Sequence, residues 1–350
     1  MRIFNENSDN NTIGLLKTIP SAVEHYSGNT SKWVHTRSDK MKIILKSGCM
    51  HCANPRCFIF NMKQISSDIP AFSFDRNQHV CPVDAITWDT KNNFPIIDTK
   101  QCIQCGICAR MCPVGAIYFK ETIQISESNN VELVSATRDN LKKQRIQLSR
   151  AQEAFHIGRI FNESDSLMEN IYKRLQHISG NIPNVFARNL LIALGNRCAI
   201  SRVGDVYTRL DAMLETSHHI RGVVEVEFGR DTLDAARGIL DDIAVANCRY
   251  GIPKKDNLAL VICLQLPNER QGFWQVIKDI KKVEGILINT VTIGGLLLLM
   301  WNFQDFNMEE VSFYVDFDDM SIRKKIDYIL DSDTTVNISS HELGILEPEK

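Results

Sequence analysis

The sequence predicts an α+β unit built around cysteines, then a helical linker, then an α/β domain with a mixed, partly parallel sheet. Three observations carry that prediction. Eight of the eleven cysteines fall between Cys49 and Cys112. From about residue 184 onward, strand-like runs alternate with helical ones, the pattern of an α/β domain. The stretch between these parts is polar, charged and free of cysteine. The expected boundaries are a polar lead-in over 1–40, the cysteine unit over 41–125, the linker over 126–183, the α/β domain over 184–331 and a polar, frayed tail over 332–350.

The cysteines form two groups that end alike. The second runs Cys102-Ile-Gln-Cys105-Gly-Ile-Cys108-Ala-Arg-Met-Cys112-Pro113-Val-Gly-Ala-Ile117. The first runs Cys49-Met-His-Cys52-Ala-Asn-Pro-Arg-Cys57 and resumes at Cys81-Pro82-Val-Asp-Ala-Ile86. A [4Fe–4S] cube needs one thiolate on each iron. Three cysteines spaced by two residues wrap one face of it, and the fourth sulfur approaches from elsewhere. Pro82 and Pro113 stop the local turn from continuing as helix. Gly106 and Gly115 let backbone approach the cube without a Cβ in the way. Two C-x2-C pairs also suit a zinc ion. Zinc, however, does not call for the third cysteine or the Cys-Pro that follows it. His51 and His79 read as solvated or supporting groups rather than ligands.

Residues 41–121 resemble the bacterial two-cluster ferredoxin domain, most closely over DTKQCIQCGICARMCPVGAI. The resemblance implies an α+β ferredoxin-like fold and two [4Fe–4S] clusters with crossed ligands. Cluster I would take Cys49, Cys52, Cys57 and Cys112, and cluster II Cys102, Cys105, Cys108 and Cys81. The sequence departs from the family in two places. Four residues separate Cys52 from Cys57, and 23 residues (Phe58 to Val80) replace the usual three before Cys81.

In chain order, Met41 to Leu45 is expected as a strand entering the cysteine loop. Ala85 to Trp88, Pro95 to Asp98 and Ala116 to Phe119 follow as short strands. The Phe58–Val80 insert, with Ile59, Phe60, Met62 and Ile65, is expected to carry one helix. Residues 138–159 are basic, with Arg138, Lys142, Lys143, Arg145, Arg150 and Arg159 against Asp139 and Glu153. They read as a solvated helical face or as one that contacts phosphates. Leu167, Ile171, Leu175 and Ile178 recur at helical spacing, and Asn184 to Leu194 reads as a buried helix.

Val206–Glu215 and Gly222–Phe228 read as strands, and Thr232–Ala246 as a helix with Leu233, Ala236, Leu240 and Ile243 on one face. Asn257–Leu266 is a continuous apolar run, as in a strand buried on both faces. A helix (Gly272–Lys282), a strand (Gly285–Val291), an apolar run to Trp301, a strand (Val311–Phe317) and a helix (Ser321–Leu330) complete the domain. Cys198, Cys248 and Cys263 lack ligand spacing and are expected as core thiols. His218 and His219 are expected in a solvated loop.

Acids are placed suggestively in the α/β part. Glu225 and Glu227 share one strand face, because side chains alternate with a period of two. Asp211, on the preceding strand, can join them. Such a group can bind Mg²⁺, which activates water against a phosphodiester. This part resembles the restriction-endonuclease-like PD-(D/E)xK superfamily, with an Asp, then (D/E)-x-K on a later strand, then a helix. The resemblance assigns Asp211 and Glu225 to a magnesium ion and Glu227 to the third catalytic position, where the family usually carries Lys. Glu169 and Asp205 are further candidate acids.

Composition bounds the rest. A chain of 350 residues with 44% hydrophobic and 23% charged residues can bury a core. A formal net charge of -2 selects no polyanion partner by overall charge. No Gly-x-Gly-x-x-Gly turn or Walker lysine loop is present. Clustered cysteines imply a reducing compartment. With no leader-like N-terminus and no apolar run long enough to span a bilayer, the expectation is a cytoplasmic protein without a membrane partner. Two functions compete: electron transfer to a redox partner protein, with the C-terminal domain docking that partner, and action on DNA, with the clusters sensing redox state or holding structure.

Overall fold

The computed structural model describes residues 33–34, 54–112, 117, 125–126, 160–205, 207–229, 232–301, 306–330 and 344–350. Cys49, Cys52, Pro113, Gly115, the expected strand at 41–45, most of that at 116–119 and the basic stretch 138–159 lie outside these residues. The chain divides into two units, residues 1–59 with 79–163 and residues 60–78 with 164–350.

In the first unit, β1 (Trp33–Val34) pairs antiparallel with β4 (Ile125–Ser126). A hairpin joins β2 (Ile86–Asp89) to β3 (Phe94–Ile97), with Ile86 opposite Ile97. Its turn is closed by Asp89, whose carboxylate accepts from the N–H groups of Lys91 and Asn92. Asn93 adopts φ 50°, a left-handed turn residue as Asn allows. One turn of helix, α2 (Ile107–Met111), follows Cys105.

The insert belongs to the second unit. Its chain leaves and returns as a narrow neck, closed by the Phe60 N–H to Gln78 carbonyl bond at 2.8 Å. The expected helix is present but only four residues long, α1 (Met62–Ile65), started by an Asn61–Gln64 capping box. Phe60, Ile65 and Phe72 are buried. Arg197 holds the insert to the sheet. Its guanidinium donates two bonds to Asp68, at 2.7 and 2.9 Å, one to Glu215 at 3.0 Å and one to the Lys63 carbonyl at 2.8 Å. Residues 60–78 thus group with residues 164–350, while their flanks stay with the cysteine unit expected over 41–125.

The sheet of the second unit has the order β5-β6-β7-β8-β9. β5 (Arg197–Ile200), β6 (Ala212–Glu215) and β7 (Arg221–Glu227) form an antiparallel meander. β8 (Asn257–Cys263) and β9 (Ile288–Thr292) then pair in parallel. Parallel neighbours need a crossover, supplied by α5 (Thr232–Tyr250) and α6 (Gly272–Glu284). The expected mixed, partly parallel sheet is therefore observed. Single bridges extend it at both edges, Phe74 to Ser201 just after β5 and Val315 to Thr290 on β9.

α3 (Ile160–Leu175) and α4 (Ile182–Ala193) precede the sheet. Most of α3, expected as linker, falls in the second unit, where Met168, Ile171 and Tyr172 are buried. The Tyr172 hydroxyl donates to the Leu264 carbonyl at 2.7 Å and accepts the Gly294 N–H at 3.0 Å. That seats α7 (Ile293–Trp301), a helix buried along its whole length.

Several expectations change. β5 was not foreseen. The strand expected over 206–215 begins only at Ala212, after a loop. Val311–Phe317 is a short turn with one bridge rather than a strand. α8 (Arg323–Leu330) matches the last expected helix. The end of the expected frayed tail is core: Ile345 and Leu346 are buried, and the Gly344 carbonyl accepts the Leu266 N–H.

Candidate metal centre

The hairpin positions the first site. Cys81 and Cys102 each lie five residues from the Ile86–Ile97 pair, so the antiparallel fold brings both to one end. Asp98 donates its N–H to the Ala85 carbonyl at 2.8 Å and accepts that of Cys102 at 2.9 Å. The Gln101 amide donates to the Val83 carbonyl. Beyond Cys102 the chain turns tightly, with Gln104 at φ 64° and Gly106 at φ 81°. Asp84 has φ 51°. It stands where the second Cys-Pro-Val copy has Gly115, and its carboxylate meets His79 Nδ1 at 2.8 Å. The Phe58 ring stacks on His79 at 5.4 Å and on Trp88 at 5.5 Å.

Four thiols share this environment. Cys102, Cys105 and Cys108 are buried and Cys81 partly so. Burial pushes the Cys81 thiol up to about 11, and the neighbouring charge of Cys102 adds to the rise. Burial also raises Cys105 and Cys108, each further raised by Cys81 and Cys102. Backbone N–H groups point at sulfur: Ala85 to Cys81 at 3.2 Å and Gln104 to Cys102 at 3.4 Å. Mutually repelling buried thiolates need compensating cations. Among the described residues, no three Cys, His, Asp or Glu side chains gather closely enough to hold one metal ion. A cube, which gives each thiolate its own iron, does not need them to converge. The donor set fits a [4Fe–4S] cluster, which when bound supplies one-electron redox chemistry. Cys57 and Cys112 are buried in the same unit.

The acids form a second group. Ala212 pairs with Val224, so the register carries Asp211 to Glu225. Asp211 Oδ2 accepts the Val226 N–H at 3.0 Å and Oδ1 the Asn184 amide at 2.9 Å. Burial raises the Asp211 carboxyl. Glu225 turns toward α5. A Cβ on Gly238 would lie 2.8 Å from its Oε1, so that glycine leaves the notch the carboxyl fills. There it meets Asp242, which is 3% exposed and whose Oδ2 has no hydrogen-bond donor. Burial pushes both Glu225 and Asp242 up, and nearby Asp211 pushes each further. Two such carboxyls in contact keep a proton between them. Glu227, also felt by Glu225, accepts the Gly229 N–H.

The strand register sets Asp211 beside Glu225, and Glu225 meets Asp242, which the sequence reading missed. The arrangement does not fit a magnesium ion, since no three of these carboxylates gather around one point. Glu169 pairs with Lys173 on α3, and Asp205 caps the turn at Tyr207 and Thr208. Cys198 and Cys263 are core thiols, but Cys248 is exposed, contrary to expectation. His218 and His219 are exposed, with their rings beside Glu309 and Glu215.

Comparison with known proteins identifies the first unit's chemistry. The family described as 4Fe-4S binding domain matches residues 95–118. An uncharacterized ferredoxin of Methanocaldococcus jannaschii is 33% identical over 96 residues, 27% of this chain and 49% of that protein. A tetrathionate reductase subunit of Archaeoglobus fulgidus is 35% identical over 68 residues, 19% of this chain and 23% of its own. Its namesake in Salmonella typhimurium is 27% identical over 85 residues, covering 24% and 26%. The chain spans half or less of each of these relatives. No solved structure matches it. The chain therefore carries a ferredoxin-type iron–sulfur segment joined to an α/β unit with a mixed sheet. None of its described helices is long and apolar enough to cross a membrane.

Proposed function

We propose that the chain carries two [4Fe–4S] clusters and passes single electrons to a redox partner protein. Cluster I takes Cys49, Cys52, Cys57 and Cys112, and cluster II Cys102, Cys105, Cys108 and Cys81. The observation that supports this reading is the hairpin that brings Cys81 and Cys102 to one end, despite the insert before Cys81. Relatives named as reductase subunits support a protein partner for the electrons. The test is iron analysis of anaerobically purified protein: about eight irons per chain are expected. Zinc without iron would end the reading.

A second reading concerns the α/β unit alone and is favoured by Asp211 lying opposite Glu225. It makes this unit a nuclease-like domain that acts on DNA, with Asp211, Glu225 and Glu227 as its acids. The strand, strand, helix, strand order from β6 to β8 supports it. The protonated Glu225–Asp242 pair weighs against a bound ion. Plasmid DNA incubated with the protein, with and without Mg²⁺, tests it. Cleavage abolished by Asp211→Asn or Glu225→Gln supports it; equal cleavage by these variants contradicts it.

A further inference from the structure

The second unit holds a cavity of about 810 Å³ that neither the thiols nor the acids use. Ser73, Phe74, Asp75 and Arg76 of the insert line it with Arg202 and Val203, just beyond β5. Backbone bonds join these two segments. Arg202 donates its N–H to the Ser73 carbonyl at 3.2 Å, and Asp75 donates to the Ile200 carbonyl at 2.9 Å. The backbones that carry Arg76 and Arg202 are therefore fixed before any ligand arrives.

From this we infer that the cavity binds a phosphate ester. Neither the Arg76 nor the Arg202 guanidinium has a hydrogen-bond or ion-pair partner among the described residues. Neither nearby acid, Asp75 or Asp205, pairs with them. Asp75 accepts the Asn77 N–H at 2.8 Å and sits in the field of Arg188. Arg188 is fully buried, and both its terminal nitrogens lack partners. Asp205, beside Ser73, is committed to the Tyr207 and Thr208 N–H groups and the Thr208 hydroxyl.

Positive charge in a concave surface concentrates field and attracts anions. Guanidinium forks match phosphate oxygens two at a time. The volume lies in the range of small-ligand sites, which typically run from about 300 to 1,000 Å³, and exceeds what a bare phosphate needs. Phe74 and the exposed Val203 give the organic part of the ester an apolar wall. The probe ester is a nucleotide, free or within a single strand.

Calorimetry on the full-length, iron-loaded protein tests this with three probes: ATP, a short single-stranded oligonucleotide and inorganic phosphate. Arg76→Gln and Arg202→Gln change exposed side chains, and circular dichroism with iron analysis confirms their folding. Binding of ATP or the oligonucleotide is expected, weakened about tenfold by each substitution and further by salt. ATP alone identifies a free nucleotide; the oligonucleotide alone identifies a strand. Silence from both esters, or binding undiminished in the double variant, overturns the inference. So does binding of inorganic phosphate alone.

Discussion

Replacing Asp242 by Asn should lessen the fall in stability of the α/β unit between about pH 5 and 7. Asp242 is buried against Glu225, and both carboxyls are raised, first by burial and then by nearby acids. Asp211 and Asp241 oppose ionisation of Asp242, while Arg209 partly favours it. In the unfolded chain both carboxyls ionise near pH 4. The folded protein therefore binds more protons than the unfolded one above that pH, and stability falls as pH rises. A pair that keeps one proton through neutrality loses about 1.4 kcal/mol per pH unit, or about 3 kcal/mol from pH 5 to 7. In Asp242→Asn the amide can donate to the Glu225 carboxylate, while burial and Asp211 still act on Glu225. Urea unfolding at pH 5, 6 and 7, followed by circular dichroism on both proteins, measures the difference. Other titrating groups are common to both and cancel. An equal pH slope in the two proteins, or native stability that rises from pH 5 to 7, would refute the shared proton.

Two further substitutions test the packing. In Gly294→Ala the new Cβ would lie 2.2 Å from Ile345 Cγ2 and 2.9 Å from the Tyr172 hydroxyl. A loss of about 2–3 kcal/mol in urea unfolding is expected, and a neutral result would mean that α7 is not seated as described. In Arg197→Ala the insert's Asp68 and Lys63 carbonyl lose their links to β5, and Glu215 on β6 loses this donor. Because Arg197 and Asp68 are partly exposed, the expected cost is about 1–2 kcal/mol. Limited proteolysis should then cut first between residues 60 and 78, and cutting elsewhere first would contradict the insert's place in this unit.

The parts of the account that were legible in the sequence are those set by local spacing. Cysteine ligands announce themselves because the cube demands fixed intervals. The strand period places Glu225 and Glu227 on one face of β7, while Asp211 stands just before β6. Asp242 was missed because an acid on a helix reads as its solvated face. A signal was present: Ala235, Ile239, Asp242 and Ala246 form one buried stripe of α5, and an acid on such a stripe needs a partner. The expected face placed Leu233 and Leu240 inward, yet both are only partly buried. The insert's allegiance depends on long-range contacts such as Arg197 to Asp68, which no local pattern encodes. β5 was overlooked because its four residues follow α4 after a short turn. Ile345 and Leu346 were lost in a polar stretch, although Gly344-Ile345-Leu346 was an apolar signal within it.

The crossed ligands carry the central claim, and Cys81→Ala tests them most directly. Electron paramagnetic resonance and iron content of the reduced, anaerobic variant should show damage to the cluster held by Cys102, Cys105 and Cys108, with the other cluster retained. Loss of the cluster held by Cys49, Cys52 and Cys57 instead, with that of the second group intact, would contradict the account.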